Sequence, residues 1–184
     1  LDVANGLNTA GFISGYRGSP LGNYDAALWK AKSLLEAEDI HFLPGVNEDL
    51  AATSCWGTQQ VTLFPGARHD GVFSIWYGKG PGVDRSGDPL KHGNLAGTSR
   101  HGGVLVLAGD DHVAKSSTIA FQSEPALIAA GMPVFNPSDV QDYLDLGLHA
   151  FALSRLAGVW AGFKCLTETI ETTYSADVSA NRFT

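Results

Sequence analysis

In the stretch LPGVNEDLAATSCWGTQQ an asparagine precedes two carboxylates, Glu48 and Asp49, where a short apolar run gives way to a helical pattern. Asparagine is a favoured N-cap, and acids in a first helical turn interact well with the helix dipole, each worth ~0.3 to 1 kcal/mol. Capping is therefore one account of the trio. Proton chemistry is the other, because the pair follows a strand directly and so lies in the layer where open α/β sheets hold ligands. The preceding Leu-Pro-Gly restrains the backbone that leads into it.

Other clusters are weaker candidates. The Gly-rich GKGPG (78–82) could bring backbone amides to an anion at a helix start. It lacks the spacing of the P-loop and of the dinucleotide fingerprint, and a tight strand-to-helix turn accounts for it. Gly109-Asp110-Asp111, with Asn136 downstream, resembles the Gly-Asp-Gly…Asn by which thiamine diphosphate enzymes hold magnesium. Here aspartate replaces the glycine needed for close backbone approach, and Pro137 follows Asn136, so the motif reads as a decoy. A diphosphate-binding domain with a magnesium site on Asp110 and Asn136 is one alternative, and a non-catalytic domain that serves only assembly is the other. The six histidines form no i, i+3 or i, i+4 ligand pair, and Ser116 and Ser117 lack a Gly-x-Ser-x-Gly elbow. Cys55 and Cys165 are far apart, with no zinc spacing, and read as buried hydrophobes. An iron–sulfur cluster usually takes four thiolates, more than this chain has.

These residues need a frame. Apolar runs AGFISGY, IHFLP, GVFSIWYG, GGVLVLAG, PVFNP and GVWAGFKCL read as strands. Between them lie helical patterns: one over 24–38 with Ala27, Leu28, Ala31, Leu34 and Leu35 on one side, and one from Asn47 to about Leu63. Others follow GKGPG, occur around EPALIAAG, and run from a Ser138 cap to Leu156 with Val140, Leu144, Leu148, Phe151 and Leu156. Alternation of this kind predicts right-handed crossovers and an α/β three-layer sandwich, a parallel sheet of about six strands covered on both faces. Five loops at the carboxyl edge then form the candidate site: SGYRGSPLG, LPGVNED, YGKGPGVDRSG, AGDDHVAKSST and FNPSD. Trp29, Trp56, Trp76 and Trp160 fall in apolar faces and read as core or subunit interface.

With 184 residues the chain suits a single domain, 1–184, with a loose tail or linker start over 175–184. LDVANGLN reads as the end of a helix, and with no initiator methionine the chain is expected to be part of a larger one. A net charge of -7 with scattered basic residues argues against nucleic-acid binding. No apolar run approaches the ~20 residues that cross a bilayer, so a cytoplasmic protein without membrane association is expected.

Assembled, the loops resemble the large chain of the indolepyruvate ferredoxin oxidoreductase family, among the 2-oxoacid:ferredoxin oxidoreductases. The likeness runs through GLNTAGFISGYRGSPLGNYDAALWKAKSLLEA, FLPGVNEDLAATSCWGTQQ, GVFSIWYGKGPGVDRSGDPLKHGNLAGTS, HGGVLVLAGDDHVAKSST and LTETIET. The resemblance implies a thiamine diphosphate-binding fold, specifically the domain that binds the cofactor's pyrimidine ring. A related domain then holds the diphosphate and magnesium, iron–sulfur clusters lie elsewhere in the complete enzyme, and the chain alone is inactive. Homo-oligomerisation and transfer of electrons to ferredoxin are also implied.

By motif, Glu48 corresponds to the glutamate that shares a proton with the pyrimidine ring and favours its imino tautomer. That activates the cofactor for oxidative decarboxylation of a 2-oxoacid, with coenzyme A taking the acyl group. The role needs a carboxyl whose proton affinity is raised by burial against the ring, so Glu48 is expected buried and pointing out of the sheet's carboxyl edge. Gly78, Lys79 and Gly80 are expected at the cofactor. GYRGSP resembles a family Tyr-Pro-x-Thr-Pro loop, which puts the Ser19 hydroxyl near the substrate, although Arg17 stands for proline and Ser19 for threonine. Arg17, Lys79 and Lys115 are the candidates for the substrate carboxylate, unranked. The DDHVAKSST segment resembles a loop that closes over the site.

Overall fold

The computed structural model describes residues 1–179. Six strands form one sheet: β1 Thr9–Gly15, β2 Ile40–Phe42, β3 Gly71–Lys79, β4 Val104–Asp110, β5 Val134–Phe135 and β6 Ala161–Leu166. Every pairing is parallel and the order is β2-β1-β3-β4-β6-β5. The expected α/β sandwich is therefore the observed one. All seven residues of the central β4 are buried, which explains its unbroken apolar run: a parallel strand covered on both faces has no side for polar alternation.

One face is covered by α3 (Glu48–Thr58), α4 (Gly80–Arg85), α5 (Gly87–Ala96) and α6 (Glu124–Ala129), and the other by α1 (Gly22–Lys30), α2 (Lys32–Ala37) and α7 (Val140–Ala157). A last turn, α8, spans Thr167–Ile170. Adjacent side chains of a strand point to opposite faces. Trp76 accordingly packs with Ala51, Cys55 and Val83, and Tyr77 with Ile13, Leu21 and Leu28. Both are fully buried.

Three helical expectations need correction. The helix over 24–38 is broken at Ala31 into α1 and α2, and it buries Asp25 and Leu28 while Leu34 is exposed. The helix expected to reach Leu63 ends at Thr58, and Val61–Leu63 forms a 3-10 turn. α7 is capped by Asp139, whose side chain accepts from the Asp142 N–H. Its inner face carries Tyr143, Leu146, Ala150, Phe151 and Ser154, whereas Leu144, Leu148 and Leu156 are exposed. The Ser154 hydroxyl accepts from Val104 N–H and donates to the Val159 carbonyl, so a polar residue earns a core position that periodicity assigns to leucine.

Of the four tryptophans, Trp76 and Trp160 are core, Trp56 is half-buried and Trp29 is exposed. Both cysteines are buried, and burial pushes their thiols up. Residues 175–179 have neither helix nor strand, and Asp177 is tied to α7 through Gln141; the rest of the expected tail, 180–184, lies outside the described residues. Among the described residues no helix is long and apolar enough to cross a membrane.

Candidate active site at the carboxyl edge

The chain leaves β1 toward β2 on one side and returns to β3 on the other. This reversal opens a crevice between the carboxyl ends of β1 and β3, the usual ligand position in open α/β sheets. Its walls approach closely at Gly15, where a Cβ would stand 2.1 Å from the Tyr77 carbonyl oxygen. That carbonyl accepts from Tyr16 N–H at 3.1 Å.

Glu48 is the first residue of α3, on this edge. The Asn47 side chain caps the helix, accepting from Leu50 N–H at 2.8 Å. Capping is thus real, and it is done by Asn47. The Glu48 carbonyl accepts a hydrogen bond from the Trp76 indole at 2.9 Å. Its side chain lies on Gly82 in the first turn of α4: a Cβ there would come within 2.5 Å of Glu48 Cγ and 2.9 Å of Oε1. Glu48 is half-buried, where full burial was expected. Among the described residues its carboxylate has no hydrogen-bond or ionic partner.

The other predicted residues sort by their partners. Lys79 ends β3, its aliphatic stem lies along Gly18, and its amine donates to the Ser116 carbonyl at 2.9 Å. Lys115 is ion-paired with Glu171 at 2.9 Å, and this pairing holds its ammonium above the usual lysine range. Arg17 is exposed on the loop after β1 and has no partner among the described residues. Ser19, half-buried, precedes Pro20 through a cis peptide bond on the same loop. Gly78 and Gly80 make room for side chains: a Cβ would stand 2.6 Å from the Trp76 ring and 2.5 Å from Phe121, respectively. The turn between β3 and α4 thus joins Glu48, the β1 loop and the 111–123 segment.

Asp110 and Asp111 are both buried. Asp110 accepts from Ser123 N–H at 2.7 Å and Ser123 Oγ at 2.6 Å. Asp111 accepts from the backbone N–H groups of Lys115 and Ser116 and from the Ser116 hydroxyl. The Ser116 N–H, foremost, holds the Asp111 carboxyl below the usual carboxylate range. Asn136 is exposed, and no cluster of three metal-ligating side chains occurs among the described residues. The alternative magnesium site therefore has its principal ligand already engaged, by a loop that needs it.

Sequence reading did not single out Trp76 as a partner of Glu48, or Gly82 as its bed. The signal for Gly82 was present in GKGPG, read as a turn. For Trp76 there was none, because the contact crosses from a strand to a helix.

One groove, about 920 Å³, straddles the β2 edge and is lined by Trp29, Leu35, Phe42 and Phe64. A second, about 660 Å³, lies between α1 and α7. Neither includes Glu48. Close to Glu48 in sequence, Leu43, Val46 and Leu50 are 61%, 83% and 52% exposed.

No protein-family model matches the chain, and no curated protein matches it in sequence. Solved structures do match in fold. A thiamine diphosphate-dependent 4-hydroxybenzoylformate decarboxylase of Rhodococcus jostii RHA1 superposes with a TM-score of 0.58 at 13% identity, over 96% of this chain and 30% of that one. Benzoylformate decarboxylase from Polynucleobacter necessarius gives the same TM-score and identity over 97% of this chain and 30% of its own. The chain thus spans under a third of these enzymes' length, and what it shares with them is a parallel α/β fold.

Proposed function

We propose that this chain is the pyrimidine-binding domain of a thiamine diphosphate-dependent enzyme acting on 2-oxoacids, with Glu48 as the proton partner of the cofactor's ring. The observation that carries this reading is a half-buried glutamate at the carboxyl edge whose carboxylate has no partner among the described residues, with its backbone carbonyl held by Trp76 and its side chain bedded on Gly82. The carboxylate oxygens are not buried away from water, so they stay open to a hydrogen-bonding ligand. A ring nitrogen able to share a proton would be such a ligand, so the residues fit the group.

When bound, thiamine diphosphate supplies the electron sink for decarboxylation. The chain's own residues place and protonate. Glu48 would hold the shared proton at its carboxylate, and the β3–α4 turn, Gly78-Lys79-Gly80, would be the part of the sheet edge facing the cofactor. Arg17, with no partner of its own, is the best of the three cations for the substrate carboxylate, since Lys79 and Lys115 are engaged. Ser19 offers its hydroxyl from the same loop. The exposed Leu43, Val46 and Leu50 fit a diphosphate-binding domain or subunit that closes over the ring.

The oxidoreductase type, with indolepyruvate-like substrates, ferredoxin, iron–sulfur clusters and magnesium held by other parts, a homo-oligomeric assembly and a cytoplasmic setting, rests on the sequence resemblance. Its test is reduction of ferredoxin by the complete enzyme with an aryl 2-oxoacid and coenzyme A. Within that assay Glu48→Gln is expected to cost on the order of a hundredfold or more in kcat. Full turnover by this variant would exclude the assigned role.

A further inference from the structure

We propose that Trp76 is a positioning residue for Glu48, its indole N–H setting where the carboxylate meets the bound ring. The inference rests on the role assigned to Glu48 above. Glu48 occupies the first helical position, where backbone N–H groups have no intrahelical acceptor and orientation is least restrained. Asn47 ties the turn at Leu50 N–H, and the Glu48 carbonyl is an acceptor of the helix's own ladder. From outside the helix that carbonyl takes a second bond, 2.9 Å from Trp76 Nε1, which anchors the first turn to β3.

The tryptophan is a rigid donor. It is 0% exposed, it is packed with Ala51, Ala52 and Cys55 of the same helix, and its ring lies over Gly78 at a distance that admits no Cβ. Gly82 meets the side chain of Glu48 from α4. The glutamate is therefore fixed at its backbone by one residue and bedded at its Cγ by another, and only the carboxylate is left open.

Trp160 supplies an internal contrast. It belongs to the same core cluster and is also 0% exposed, yet its indole nitrogen has no hydrogen-bond partner. Burying a tryptophan in this core does not by itself require a hydrogen bond, so the bond at Trp76 calls for its own explanation.

The test compares Trp76→Phe, replacement of Trp76 by the isosteric benzothienylalanine, Trp160→Phe and Glu48→Gln in the complete enzyme. Loss of one positioning hydrogen bond is expected to lower kcat about tenfold and weaken thiamine diphosphate binding by a similar factor, with KM for the 2-oxoacid little changed. In the cofactor-free protein, the side-chain carboxyl resonance of Glu48 in 13C-labelled samples should move in both Trp76 variants and stay in place in Trp160→Phe. The benzothienyl variant keeps the ring's volume and decides the matter if Trp76→Phe does not fold.

The inference is overturned if the benzothienyl variant matches the wild type in kcat and in the Glu48 resonance while Glu48→Gln is inactive. It is equally overturned if Trp160→Phe produces the same changes, which would make the effect one of core packing. Wild-type turnover by Glu48→Gln would remove the reading of Glu48 itself, a different result from either.

Discussion

Glu48-Asp49 and Asp110-Asp111 are both adjacent carboxylate pairs at the carboxyl edge of one sheet, and they are used in opposite ways. Asp110 and Asp111 are buried, and their oxygens are taken up by Ser123, Lys115 and Ser116. Glu48 is half-buried with no partner for its carboxylate among the described residues. The difference separates acids that hold a backbone from an acid that is itself held. Acids of the first kind have their hydrogen-bonding capacity committed to the fold, whereas the Glu48 carboxylate has its capacity open.

The strongest challenge to this contrast is to exchange the consequences. Asp110→Ala leaves the Ser123 N–H and hydroxyl buried and unpaired and should cost roughly 3 kcal/mol or more of stability, read from the midpoint of urea unfolding. Glu48→Gln breaks no hydrogen bond to its side chain and should stay within about 0.5 kcal/mol of the parent. A costly Glu48→Gln beside a harmless Asp110→Ala would reverse the assignment.

A third acid sharpens the comparison. Asp2 forms a two-pronged ion pair with Arg155, at 2.7 and 2.8 Å, and accepts from the Thr9 hydroxyl. Arg155, ahead of an opposing effect of burial, brings the Asp2 carboxyl down from 3.8 to about 2. Because the folded value is the lower one, the stabilisation is complete above pH 4 or so and disappears as pH falls through about 2. It amounts to about 2 kcal/mol, for a pair whose side chains are only 24% and 20% exposed. Asp2→Asn should remove that much at pH 7 and flatten the acid limb of the stability profile. An unchanged limb would mean that Asp2 does not behave as a committed acid.

What could be read from sequence follows the range of the interactions. Strands and their order of alternation with helices depend on local apolar runs, and six of six appear where the runs are. The carboxyl-edge position of Glu48 was legible for the same reason, since strand, Leu-Pro-Gly and cap are contiguous. The phase of α7 was not, because its inner face uses Ser154 and Ala150, chosen by Val104 N–H and the close sheet rather than by hydrophobicity. Nor could sequence rank Arg17, Lys79 and Lys115. That ranking depends on Ser116 and Glu171, partners that only tertiary structure brings near.

Smaller effects probe the two acts at the head of α3 separately. Asn47→Ala removes the cap to Leu50 N–H and should cost about 1 kcal/mol in thermal or denaturant unfolding. If the cost were nil, Glu48 and Asp49 would be doing the capping through the helix dipole, and the first-turn explanation of the pair would regain ground.

A small stability effect is expected at Gly82 too, where it is the most informative. In a helix an alanine is favoured over glycine by up to ~1 kcal/mol, so Gly82→Ala gains backbone order in α4. Against this, the new methyl would stand 2.5 Å from Glu48 Cγ. A glutamate side chain can swing outward to relieve that contact, so the two contributions should nearly cancel, with net stability changed by less than about 1 kcal/mol. The carboxylate itself cannot be in both places. Stability measured by unfolding should therefore hold while thiamine diphosphate binding and turnover in the complete enzyme fall, and a variant that lost stability but kept binding would show that Gly82 serves the packing of α3 on α4 and not the placement of Glu48.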